Sequence, residues 1–267
     1  MTTPMAPMAP QIQQRFNPNS IKAGLARSVR SEMKKITSLR SMKLLLAGTI
    51  VGWIVIMALI ASAIDLKEGD KLTPYDLVGG WPIPLIPFIV IGALAVTSEY
   101  ANNTMRTTVL SDPKRSRSYV AKLVAVLIYT GIGALVMTVA SVVITDLISP
   151  ATFTYDDEFW KQMSYFVIVL VGTAAWALGA GYWLRSTAGA ISIVFMLIFV
   201  IQMIQLLPWN FFQETLPDYL PWNIINGLFP NTWRGEAASD FSNLFLFLAY
   251  PIVFNVIGFF QFIRKDI

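Results

Sequence analysis

Long apolar stretches alternate with short polar ones along this chain of 267 residues, and that alternation predicts most of its architecture. Six apolar runs lie near 44–64, 77–97, 123–145, 163–184, 187–207 and 242–262. Each reaches the roughly 20 residues that a helix needs to cross a hydrocarbon core. All are too long for strands, and barrel-like alternation is absent, so the backbone must satisfy its own hydrogen bonds as helix. Before the first run, Ile21, Leu25, Val29, Met33 and Ile36 recur every three or four residues, with Lys22, Arg27, Arg30, Lys34 and Lys35 between them. That spacing predicts an amphipathic helix within 20–43, suited to the headgroup region. It is either a membrane-surface anchor or an elbow that also contacts a partner.

Other segments break the pattern. Residues 1–19 are rich in Met, Pro and Gln and form a predicted disordered tail. The second run opens with Pro82, Pro84 and Pro87, which remove backbone donors and predict a broken or kinked start, as a structural feature or part of an outer vestibule. Residues 208–241 are interrupted and aromatic, which suits short interfacial helices before the last span, as an aromatic belt or a gate.

Composition narrows the chemistry. The chain is 55% apolar and only 13% charged, unlike an ordinary soluble domain. With no cysteine and no histidine, it lacks the ligands and nucleophiles of HExxH metalloproteases, bis-histidine haem proteins and serine–histidine hydrolases. Ala61-Ser62-Ala63 resembles a signal-peptide cleavage site, but the run before it is too long, which favours a retained helix. No phosphate loop occurs, so ATP would not be bound by this chain.

Charge sets the expected orientation. Sixteen of the 20 Lys and Arg residues fall in the amino-terminal arm, the second and fourth loops and the tail. The positive-inside rule then puts both termini and the 98–122 loop in the cytoplasm. The net charge of +4 suits a surface facing anionic lipid and calls for no nucleic-acid partner. Span centres carry no charge, unlike ion-coupled carriers. Gln202 and Gln205, three apart, and Asn255 are the polar residues that would line a pathway or, as is commoner, bond helix to helix.

Thr97–Lys122 is longer than a crossover requires and holds two acids, Glu99 at the span end and Asp112, among five cations. Three stretches here are similar to the membrane-spanning permeases of ABC transporters, in the type-two exporter group common in actinobacteria. Ser31-Glu32-Met33-Lys34-Lys35 through Arg40-Ser41 resembles that family's approach to the first span. Ser98, Glu99, Tyr100, Thr104, Arg106, Pro113, Arg115, Ala121 and Lys122 resemble its Ser-Glu-Tyr…Gly-Thr…Arg…Pro…Arg…Ala-Lys pattern. Leu184 to Ile191, and then Leu220-Pro221-Trp222-Asn223, resemble its later segments. Asn103 stands where the family usually has glycine; asparagine also tolerates left-handed angles.

The resemblance implies an all-α polytopic membrane protein in the bacterial cell membrane, with a six-helix permease domain over 44–267, an amino-terminal elbow helix and a cytoplasmic coupling helix. It implies a dimer, with a second copy or a paralogous permease, on two ABC ATP-binding subunits that carry ATP and magnesium. The expected coupling residues are Glu99, Thr104, Arg106, Pro113 and Arg115, and those of the elbow are Glu32, Lys35 and Arg40. No catalytic, cofactor or metal residue is expected on this chain. The alternative is a non-transporting immunity or sensory subunit that binds a peptide or antibiotic at the outer face. A membrane-embedded enzyme finds little support without buried carboxylates, His or Cys.

Overall fold

The computed structural model describes residues 24–63, 71–105, 114–149, 152–230 and 241–264. Its elements are α1 (Leu25–Ser38), α2 (Arg40–Ala63), β1 (Lys71–Leu72), α3 (Pro74–Val78), α4 (Pro82–Ala101), α5 (Arg115–Ile148), β2 (Thr152–Phe153), α6 (Asp157–Leu184), α7 (Thr187–Phe195), α8 (Pro221–Leu228) and α9 (Phe241–Arg264). Among the described residues, six helices are long and apolar enough to cross a membrane: α2, α4, α5, α6, α9, and α7 together with its continuation to Leu206. That continuation is a π turn over Met196–Val200 and a 3-10 turn over Ile201–Leu206. Short turns at Phe211–Thr215 and Pro217–Tyr219, followed by α8, make up the described part of the aromatic segment.

Helix α6 is the most buried of the six and the axis of the bundle. Its small residues explain why. A Cβ on Gly92 of α4 would overlap the carbonyl oxygen of Ala174. One on Gly179 would sit 2.6 Å from the Phe254 carbonyl carbon, and one on Gly258 of α9 would sit 2.6 Å from the Gly179 oxygen. Backbones that approach this closely replace the hydrophobic drive that lipid cannot supply between helices. Buried polar bonds reinforce the packing: Trp53 Nε1 donates to Ser141 Oγ at 2.6 Å, and Tyr129 Oη donates to the Met42 carbonyl at 3.0 Å. Both tie α2 to α5.

Each end of α6 has a local cause. Asp156 accepts from the Phe159 amide at 2.8 Å, with Asp157 and Glu158 in the first turn, where the helix dipole favours acids. The helix stops at Arg185, which adopts left-handed angles (φ 53°). Thr73 and Asp76 close a capping box on α3. β1 and β2 pair in parallel, joining the segment before α3 to the segment before α6.

Several boundaries differ from the sequence expectation. Helix α4 runs unbroken from Pro82 through Pro87. Pro82 and Pro84 lie in the first turn, where backbone donors have no intrahelical acceptor anyway, so they start the helix rather than break it. Helix α5 begins at Arg115, eight residues ahead of the apolar run at 123. The amphipathic helix spans Leu25–Ser38 and is parted from α2 by an extended Leu39. The predicted tail, 1–19, lies outside the described residues.

Candidate functional site: a four-charge cluster

Helix α1 leaves Arg27, Arg30 and Lys34 exposed and packs Met33 and Ile36 against the bundle, as the periodicity predicts, but it buries an acid with them. Leu25 is exposed, whereas Glu32 and Ile36 are buried. The face turned to the bundle carries Glu32 and Lys35, which share a side of the helix by their three-residue spacing.

Opposite them stand Glu99, in the last turn of α4, and Lys122, two turns into α5. Lys122 Nζ donates to Glu32 Oε2 at 2.5 Å and to Glu99 Oε1 at 2.7 Å. Lys35 Nζ donates to Glu32 Oε1 at 2.7 Å and to Glu99 Oε1 at 3.2 Å. The four groups form a closed ring of alternating charge that joins α1, α4 and α5. Lys122 is 1% exposed, Glu32 4% and Glu99 9%, while the Lys35 side chain keeps 40% of its surface in contact with solvent. Burial on its own would raise the Glu32 carboxyl, but the Lys122 ammonium and the hydrogen bonds from Lys122 and Lys35 bring it below its ordinary value of 4.5. Burial would lower Lys35, but its bonds and attraction to Glu32 and Glu99 hold it above 10.5.

Two acids and two bases neutralise one another, so the ring is a clamp rather than a receptor for a free ion. Its desolvation is costly, and the return is geometric: three helices are held in one register. A cavity of about 340 Å³ adjoins it, lined by Lys35, Ser98, Glu99, Asn102, Thr104 and Lys122 on its polar side and by Ile36, Leu39, Met42 and Ala95 on its apolar side.

The turn leaving α4 passes directly over this cavity. Asn103 takes φ 55°, the left-handed conformation for which asparagine is the best non-glycine choice. The Thr104 amide then returns to the Glu99 carbonyl at 3.0 Å. Arg115 opens α5 and donates from Nη1 to the Ile263 carbonyl at 3.1 Å, tying that helix to the end of α9. Arg40 is exposed at the start of α2. Arg106 and Pro113 lie outside the described residues.

The pathway candidates do not gather into one polar lining. Asn255 spends its amide on the Ala175 and Pro251 carbonyls at 2.8 and 2.7 Å, and its oxygen accepts from Tyr119 Oη at 2.8 Å. It joins α9 to α5 and α6. Gln202 donates locally to the Phe199 carbonyl at 3.0 Å, and Gln205 is half-buried on the same 3-10 turn.

The residue that sequence reasoning passed over is Lys122. By polarity it groups with the loop cations, yet Tyr119, Lys122, Val126 and Tyr129 form one buried stripe at spacings of three and four. That stripe was the available signal.

Six spans around a small-residue core, clamped by ion pairs at one end, define a multi-pass helical membrane protein. The model of the family described as "Protein of unknown function (DUF2705)" matches residues 77–267, and the chain belongs to that family. Glu99 and Lys122 fall inside the match; Glu32 and Lys35 precede it. No curated protein matches the chain.

Proposed function

We propose that this chain is the membrane-spanning subunit of an ATP-driven ABC exporter in a bacterial cell membrane. It would work as a dimer on two ATP-binding subunits, with both termini and the clamped end in the cytoplasm. In this reading α1 is the elbow helix and the segment after Glu99 is the coupling element. The observation that carries the proposal is the four-charge ring. It welds the amphipathic helix to the two helices that flank the 98–122 segment, so a displacement of that segment is passed to α1, α4 and α5 together. Packed elements with discrete arrangements carry coupling of this kind. The left-handed turn at Asn103, where similar permeases place glycine, adds support.

The test is purification of the full chain with any ATP-binding protein it retains, followed by ATPase assay in lipid. Recovery of such a protein, with magnesium-dependent hydrolysis in the complex, is the expected result. A chain that reaches the membrane intact and retains no ATP-binding protein would sink the proposal.

A further inference from the structure

Arg185 is an unusual residue for its position. It terminates α6 at φ 53° and ψ 19°, a conformation that glycine adopts at no steric cost and that is uncommon for a long side chain. Nothing in the helix end requires arginine. Its guanidinium carbon lies 5.4 Å from the centroid of the Tyr100 ring. Its Nε and Nη2 are buried and meet no acceptor among the described residues, and the Tyr100 hydroxyl beside them is in the same state. Nε and Nη2 form one of the two edges of a guanidinium whose N–H bonds run parallel, an edge that takes a carboxylate or phosphate in bidentate fashion.

We propose that Arg185 and Tyr100 form a binding site for a phosphoryl anion, supplied by the headgroup of an anionic lipid. Depth selects that source. Arg185 sits between Leu184, the last residue of one span, and Ser186, the cap of the next, which is the level of lipid phosphates. The first-turn amides of α7 add positive potential at the same place. Thr187 Oγ1 donates to Thr97 Oγ1 at 2.7 Å, fixing that helix start against the turn of α4 that carries Tyr100. Arg115 and Glu99 are both within electrostatic reach of Tyr100, and the Glu99 charge is already held by Lys35 and Lys122. An arriving anion therefore meets the guanidinium of Arg185 with the Glu99 charge already compensated. Ordering of the loop between the fourth and fifth spans by lipid would follow, independently of whether the chain is a permease.

The test uses the purified full chain in detergent, with retention of short-chain phosphatidylglycerol and phosphatidylcholine compared by native mass spectrometry. Wild type is expected to prefer phosphatidylglycerol by roughly tenfold, the value of one charge-assisted bidentate contact. Arg185→Gly should abolish the preference while leaving the thermal midpoint unchanged or higher, because glycine relieves the left-handed backbone. Arg185→Lys should recover only part of it, since an ammonium offers no bidentate edge. Inorganic phosphate at millimolar concentration should leave the lipid bound, because the acyl chains contribute; displacement of the lipid would assign the site to free phosphate and overturn the lipid as its occupant. Equal retention of the two lipids by wild type, or a preference that survives Arg185→Gly, would overturn it.

Discussion

Lys122 and Glu99 are joined at 2.7 Å although 23 residues part them, and the lysine is almost wholly removed from solvent. The pair converts the two ends of the 98–122 segment into a single fixed base. Lys35 closes the same ring from outside, at 3.2 Å from Glu99 and partly in solvent.

The two lysines therefore differ in value. Lys122→Met strands two buried carboxylates with one exposed partner, and the expected loss is about 3–5 kcal/mol. Lys35→Ala removes a screened contact and should cost about 1 kcal/mol or less. Thermal unfolding of the detergent-solubilised protein measures both, and equal losses would show that the ring is not buried as described. Exchange of the pair, Glu99→Lys with Lys122→Glu, should recover part of the loss of either single change.

The acid response follows from Glu32. Its folded pKa is depressed, so its contribution is complete above 4.5 and is lost as pH falls through the folded value. The gap in thermal midpoint between wild type and Glu32→Gln should be full at neutral pH and close on acidification. Lys35 is raised, so its contribution is present below 10.5 and fades as pH rises through its folded value. A Glu32→Gln gap that widens in acid would contradict the first assignment.

Packing against α6 separates glycines by consequence. Gly92→Ala would drive a methyl into the Ala174 carbonyl and should cost about 1–3 kcal/mol, because backbone must move. Gly131→Ala, whose nearest neighbour is a Val171 methyl at 3.9 Å, should be neutral or slightly stabilising. The same unfolding assay ranks the two.

Orientation is accessible because the chain has no cysteine of its own. Ser118, on the basic segment, is buried and would label poorly, whereas Asn102 is exposed. Asn102→Cys should be protected from an impermeant thiol reagent in intact cells, and Tyr155→Cys, exposed at the opposite end, should react. The reverse pattern would place the clamped end outside.

The six spans were legible because length and apolarity are summed over some twenty residues and survive local exceptions. The start of α5 was not. Arg115, Ser116, Arg117 and Ser118 read as loop by polarity, yet only one side of that turn faces the bundle, where Ser118, Tyr119 and Lys122 are buried. Glu99 stood out as an acid at the span end of a basic segment, and its partners remained invisible because they come from positions 23 and 64 residues away. Periodicity reports which side of a helix is buried, not which other helix it meets. For α1 periodicity located the buried side, through Met33 and Ile36, but not the paired charges Glu32 and Lys35 along its edge. Asparagine at 103 signalled its left-handed turn; arginine at 185 gave no such sign.

The most direct measurement of the central claim is magnesium-dependent ATP hydrolysis by the chain and its co-purified ATP-binding subunit in lipid vesicles, for wild type and for Glu99→Ala. Coupling through the ring predicts that wild type stimulates hydrolysis and that Glu99→Ala, inserted in the membrane and still bound to its partner, loses most of that stimulation. Hydrolysis that is indifferent to the presence of the chain, or unchanged in the Glu99→Ala complex, would contradict it.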